Sequence, residues 1–278
     1  MSMPDKIAIH NLFGVEGLDV AWYGILIACG IVLGVLVAIY EAKRRGYTSE
    51  LLIDFMILAL PLSIVGARIY YVAFEWEYYS QHLDEIVAVW NGGIAIYGAL
   101  IGGIIAAVII AKWRKFPLGR LLDICAPGLI LGQAIGRWGN FVNQEAYGLV
   151  INDPNLQFFP YGVFAQADGQ WHLATFFYES MWDLGVLALL LWYSRKAKHD
   201  GNVFAMYLIG YGIGRFWIEG IRIQTLELMP GVPVSQFLSA VLVAIGVIYL
   251  IVMRKRNKPN ALYEGRYCKT EKTEPEEA

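Results

Sequence analysis

The sequence predicts an all-α, polytopic membrane protein with seven transmembrane helices, an external N-terminus and a cytoplasmic C-terminus. Composition is the first reason: 57% of the 278 residues are hydrophobic and only 17% are charged, against about 45–50% and ~25% in soluble domains. Mean hydropathy is +0.48. Length is the second, because seven apolar stretches reach the roughly 17–25 residues that cross a hydrocarbon core. The third is the sorting of basic residues to alternate ends of those stretches.

The stretches lie near residues 20–40, 51–73, 93–111, 119–138, 176–194, 203–220 and 235–253. Lys43, Arg44 and Arg45 follow the first. Lys112, Arg114, Lys115 and Arg120 lie between the third and fourth, and Arg195, Lys196 and Lys198 between the fifth and sixth. Arg254, Lys255, Arg256 and Lys258 follow the seventh, with Arg266, Lys269 and Lys272 beyond. Seventeen of the 22 Lys and Arg thus fall on one side, which the positive-inside rule makes cytoplasmic. No basic n-region precedes the first stretch and no cleavage site follows it, so no removable signal peptide is expected.

Residues 74–92 are aromatic and acidic, with Trp76, Tyr78, Tyr79 and Trp90, and are expected to form an interfacial helix or arm. Gly92–Gly98 is expected to be a loop entering a helix. Gly98, Gly102 and Gly103 are expected to permit close helix packing. Residues 140–175 form the longest external connection, with turn signals at Asn152-Asp153-Pro154-Asn155 and Ala167-Asp168-Gly169-Gln170. Residues 1–258 are expected to make one integral-membrane domain, and residues 259–278 a charged tail expected to be disordered. No internal repeat stands out.

Gly136-Arg137-Trp138-Gly139-Asn140-Phe141-Val142-Asn143-Gln144-Glu145-Ala146-Tyr147-Gly148 follows the apolar run 124–135. Ionisable groups at membrane depth cost several kcal/mol and usually mark a substrate or ion site. The flanking glycines are expected to let the backbone leave the helix here. Apart from Lys6, the basic residues not on the cytoplasmic side are Arg68, Arg137, Arg215 and Arg222, all toward external helix ends. Tyr23, Tyr97, Tyr178 and Glu179 open the first, third and fifth segments at that level. Tyr211, Arg215, Glu219 and Arg222 recur at spacings of four, four and three, on one helical face.

Two readings fit that face: a self-neutralising Arg–Glu–Arg ladder, or an anion clamp in which Glu219 orients guanidiniums toward a phosphate. Arg68 has a structural alternative in snorkelling to the interface. Asp54 and Asp123 are expected to make helix-terminal hydrogen bonds. Cys29, Cys125 and Cys268 lie far apart, and His10, His82, His172 and His199 fall in loops. No metal or cofactor is called for. His172 is expected at the surface.

The 136–148 segment resembles the GRxGNFxNxExxG signature of the bacterial prolipoprotein diacylglyceryl transferases. The resemblance continues through Trp22-Tyr23-Gly24, the Gly92–Gly103 block, Asp123-Ile124-Cys125-Ala126-Pro127, and Tyr211-Gly212-Ile213-Gly214-Arg215 with Glu219 and Arg222. It covers Ala21 to about Met253. It implies transfer of a diacylglyceryl group from phosphatidylglycerol to the lipobox cysteine of a prolipoprotein in the bacterial inner membrane, with glycerol phosphate leaving. It further implies that Arg137 and Arg215 contact the lipid headgroup, surrounded by Asn140, Asn143, Glu145, Glu219 and Tyr23, with Gly148 and Tyr211 alongside. Many members carry histidine where this chain has Tyr97. The family's His-Pro run before the fifth segment stands here as His172-Leu173-Ala174-Thr175-Phe176-Phe177-Tyr178-Glu179.

In such a reaction the thiol, of free pKa about 8.5, attacks a glyceryl carbon and the C–O bond to phosphate breaks. Arg137 and Arg215 are expected on that phosphate, supported by Arg222 and Arg68, with Asn140 and Asn143 donating to headgroup oxygens. Glu145 and Glu219 would position the arginines or the glycerol hydroxyls. The thiol's proton goes either to Tyr97 or, where the arginine field acidifies the thiol directly, to no dedicated base. An anion transporter and a non-catalytic lipid-binding protein are the rivals. The expected partners are phosphatidylglycerol, prolipoprotein signal peptides and the bilayer, with no nucleic acid.

Overall fold

The structure is a computed structural model that describes residues 6–16, 19–223, 227–229, 232–256, 260 and 262–268. It is mostly helical. In chain order the elements are β1 (Ile7–Ile9), β2 (Val20–Ala21), α1 (Trp22–Arg44), α2 (Glu50–Phe74), α3 (Trp76–Tyr79), α4 (Ile96–Trp113) and α5 (Leu118–Asn143). There follow β3 (Gly162–Ala165), β4 (Gln170–Leu173), α6 (Thr175–Tyr193), α7 (Asn202–Gly220), β5 (Glu227–Met229), β6 (Val232–Pro233) and α8 (Val234–Arg256). The strands form three antiparallel pairs and no barrel among the described residues.

Five of the helices, α1, α2, α4, α5 and α8, are long and apolar enough to cross a membrane by length and composition. The apolar stretches read from the sequence each fall on a long helix. Helices α6 and α7 run 19 residues apiece. Their apolar character is lowered by Glu179, Asp183, Arg215 and Glu219. The basic residues in the last turns of α1 and α8 suit both the helix dipole and a polar headgroup region.

The chain divides into two compact units. The first comprises Met1–Ala38 and Asp123–Asn260. In it α1 meets α5 through glycine: a Cβ on Gly34 would stand 2.7 Å from the Gly128 carbonyl oxygen. Where lipid removes the hydrophobic drive between helices, such backbone contact supplies the packing. A buried cluster of Ala126, Ile130, Val186, Leu190, Val203 and Tyr207 ties α5 to α6 and α7. Asp123 caps α7 from a neighbouring helix, its carboxylate accepting from the Gly201 and Phe204 N–H groups at 2.8 Å each. That bears out a helix-terminal role for this acid, since the first N–H groups of a helix have no internal partner.

The second unit comprises Ile39–Leu122 and Ala261–Ala278. Here α2 packs on α4, and a Cβ on Gly66 would lie 2.5 Å from the Gly98 carbonyl oxygen. Gly103 meets only the Ser63 hydroxyl, at 3.5 Å, so it takes little part in this packing. Asp54 accepts from Arg114 at 3.1 Å and from the Tyr267 hydroxyl at 2.8 Å. Tyr267 is fully buried and the Thr48 N–H donates to its carbonyl. Tyr263 and Tyr267, in a stretch expected from sequence to be disordered, therefore pack against Phe116 of this unit. Residues 269–278 lie outside the described residues.

Candidate functional site

Helix α5 does not end at its glycines. It runs through Gly136 and Gly139 to Asn143 and breaks only where Gln144 and Ala146 take φ values of 56° and 62°. The backbone thus leaves the helix after Asn143 and not at Gly136, where the sequence suggested it would. Gly139 serves close approach instead: a Cβ there would meet the Tyr23 ring at 2.5 Å. Arg137 and Asn140 therefore project from one face of a continuous helix.

Arg137 reaches α6, where its Nη2 stands 2.9 Å from Glu179 Oε1. The other Glu179 oxygen is 3.3 Å from Arg215 Nη1 on α7. Arg215 Nη2 lies 2.7 Å from Glu219 Oε2, and Arg222 Nη1 lies 3.1 Å from that same oxygen. Five side chains thus form one chain of charge, Arg137–Glu179–Arg215–Glu219–Arg222. The carboxylates are buried, at 4% and 3% side-chain exposure, while the arginines keep 22%, 13% and 17%. Three guanidiniums against two carboxylates leave a positive surplus of one within this network. The Arg222 Nε is buried with no hydrogen-bond partner.

Four of these groups, Arg137, Glu179, Arg215 and Arg222, line a small recess together with Asn140 and Thr175. Thr175 fixes one wall by donating to the Ala146 carbonyl at 2.7 Å. Arginine in a water-poor recess suits a phosphate, because the planar fork bonds its oxygens bidentately and never loses its charge.

A family model for prolipoprotein diacylglyceryl transferase matches residues 10–252. The chain belongs to that family. It is similar to the phosphatidylglycerol–prolipoprotein diacylglyceryl transferases of Streptococcus pyogenes serotypes M5 (strain Manfredo) and M49 (strain NZ131), each 46% identical over 253 residues. The matched region covers 89% of this chain and 95% of each relative.

In this diacylglyceryl transferase family member, Glu145 does not bind an arginine among the described residues. It accepts from Asn140 Nδ2 at 2.9 Å and from Asn143 Nδ2 at 3.4 Å. Each amide keeps its oxygen and a second N–H for other partners. Gly148 pairs with Arg222 in an isolated bridge, and the Leu149 N–H donates to Ile221 O at 2.9 Å. Tyr211 stacks on Tyr207, with ring centroids 5.9 Å apart, and lies within electrostatic reach of Arg137 and Arg215.

Arg68 and Tyr97 belong to the second unit. The Arg68 guanidinium is spent on backbone, donating to the carbonyls of Glu85, Ile86, Gly92 and Gly93 at 2.6–2.8 Å. The Tyr79 ring covers it at 5.0 Å. Four of its five donors are thereby used, which binds the 85–93 loop in place of the headgroup contact expected from sequence. Tyr97 is 37% exposed and its hydroxyl makes no hydrogen bond among the described residues.

Two acids of the site lay outside the candidate set. Glu179 stood out only as opening a segment, yet it is the central carboxylate. Asp183, one turn further on α6, is 1% exposed, and its Oδ2 has no hydrogen-bond partner. It lies within electrostatic reach of Glu179, Arg137 and Arg215. Two acids four residues apart in an otherwise apolar segment were the available signal. His172, expected at the surface, is 2% exposed.

Proposed function

We propose that this protein is a transferase that moves the diacylglyceryl group of phosphatidylglycerol onto the lipobox cysteine thiol of prolipoproteins, forming a thioether and releasing glycerol phosphate. The observation that carries the chemistry is the Arg137–Glu179–Arg215–Glu219–Arg222 network, whose three arginines and Glu179 line one recess. The thiolate attacks the glyceryl carbon as the C–O bond to phosphate breaks, and the leaving phosphate gains charge. Preorganised guanidiniums stabilise that charge, which is the largest catalytic term in many enzymes. Arg137 and Arg215 grip the phosphate, Arg222 adds its unpartnered Nε, and Glu179 and Glu219 hold the three in register. Asn140 and Asn143, tethered by Glu145, offer amide oxygens to the glycerol hydroxyls. Tyr23 and Tyr211 lie within electrostatic reach of Arg137, and Gly148 pairs with the Arg222 backbone. The arginine field acidifies the incoming thiol, and the proton leaves with glycerol phosphate, so that Tyr97 is not the base.

The chain crosses the bacterial inner membrane seven times, α6 and α7 included, with its N-terminus outside. The seventeen cytoplasmic-side Lys and Arg support this orientation. The arginine network then faces the outer leaflet, where the lipid substrate and the signal peptide meet. The test is to incubate the purified full chain with phosphatidylglycerol and a lipobox peptide. A diacylglyceryl mass gain on cysteine together with released glycerol phosphate is the expected result. Peptide that stays unmodified in the presence of folded protein would overturn it.

A further inference from the structure

The His172 ring, 2% exposed, has an acceptor at each nitrogen. Nδ1 lies 3.0 Å from the Gly148 carbonyl oxygen and Nε2 lies 2.8 Å from Asp168 Oδ2. A carbonyl and an ionised carboxylate only accept, whereas neutral imidazole has a single N–H. Both contacts are hydrogen bonds only when the ring is the doubly protonated imidazolium. Asp168, at 48% side-chain exposure, stays wet enough to ionise. Partial desolvation pushes its carboxyl up, but the His172 hydrogen bond and the Gln170 N–H outweigh that and hold it below the usual carboxylate range.

The acceptor on the other side leads to the cavity. Gly148 bridges to Arg222, the Leu149 N–H donates to Ile221 O at 2.9 Å, and the Ile223 N–H donates to Tyr147 O at 3.3 Å. Residues 147–149 thus run between β4, which carries His172, and the 221–223 segment, which carries Arg222. We propose that protonated His172, clamped by Asp168, is a positioning residue that sets the 147–149 segment and through it the Arg222 guanidinium. Loss of its second proton weakens the grip on an anionic phospholipid headgroup.

The other titratable group against the ring is Tyr147, stacked with its centroid 5.5 Å away. Burial first, then the charges of Asp168 and Glu145, push the Tyr147 phenol up to about 12, so it stays neutral at neutral pH. Arg222 stands behind Gly148, paired to Glu219.

This inference rests on the transferase activity proposed above, and its test separates the two. The KM for phosphatidylglycerol would be measured from pH 6 to 9 in the full-length protein, because thiol ionisation acts mainly on kcat. Wild type is expected to lose affinity by about tenfold as the charged hydrogen bond is lost. Asp168→Asn is the discriminating variant, since its amide N–H can donate to neutral Nε2 while Nδ1–H still holds Gly148. Its KM should stay low and flat across the range. His172→Ala should show a raised KM at every pH with kcat much less changed. The ring ¹⁵N shifts of His172 at neutral pH should report two protonated nitrogens in wild type and one in Asp168→Asn. An Asp168→Asn profile rising in parallel with wild type, or a singly protonated wild-type ring, would overturn the clamp while leaving the transferase reading intact. No cysteine modification by wild type at any pH would instead overturn the transferase reading.

Discussion

The Glu179 carboxylate on α6 stands 2.9 Å from the Arg137 guanidinium on α5, and its second oxygen serves Arg215 on α7. One buried acid therefore holds together arginines from two other helices. Glu179→Ala leaves both cations underpaired in a site where removing one partner of a buried pair costs about 3–5 kcal/mol. Glu179→Ala is expected to lose both thermal stability and transfer. Glu179→Gln should keep most of the stability and lose transfer by about 100-fold, the size of effect that a displaced catalytic group produces. Thermal unfolding and cysteine lipidation measured on the same preparations check both.

Arg137→Ala and Arg215→Ala should each slow transfer by about 10²–10³-fold, the range found when a preorganised donor to developing charge is removed. Arg137→Lys is not expected to restore the rate, because an ammonium cannot reproduce the planar fork. Product mass on the peptide cysteine is the readout. Near-normal rates in both alanine variants would sink the phosphate assignment.

Tyr97 is 37% exposed and its hydroxyl is unbonded among the described residues. Among those residues, no hydrogen bond or neighbouring charge orients that hydroxyl toward the arginine network, which a base needs before anything else. Tyr97→Phe should therefore retain transfer within about twofold across pH. A collapse of the rate would restore the phenol as the base.

Arg68 donates to four loop carbonyls. Arg68→Lys should leave several of them unsatisfied, at about 1–3 kcal/mol for each group that stays buried. The expected signature is faster hydrogen exchange across residues 85–93. An unchanged exchange pattern with a raised KM for lipid would instead make Arg68 a headgroup ligand.

The Tyr147 phenol is pushed up to about 12, first by burial, and its hydroxyl is buried without a partner. A raised folded-state value gives stability that is full below the unfolded value of about 10. That contribution is lost as pH rises through about 12. Tyr147→Phe should therefore flatten the stability loss above pH 10 without harming the fold at neutral pH. Thermal melts over that alkaline range provide the check.

Much of this protein is written locally. Apolar runs add up residue by residue, so the long helices could be read from segments such as 20–40 and 235–253. Spacing of four places Arg215 and Glu219 on one face of one helix, and their 2.7 Å contact follows from helical geometry alone. The polar 136–148 segment, which carries Arg137 and Glu145, was legible as a site because lipid makes stray charge costly. Its conformation was not, because glycines permit a helix to end without requiring it to.

What only the tertiary structure decided is which partner each charge found. Glu179 meets Arg137 because α5 and α6 adopt one rotation and axial register, set by packing such as the buried cluster of Ile130, Val186 and Leu190. Arg68 was diverted to loop carbonyls by how residues 85–93 fold back over α2. His172 was buried by the segment that carries Gly148. Those outcomes depend on contacts between segments far apart in the chain, and side-chain periodicity along one segment carries no information about them.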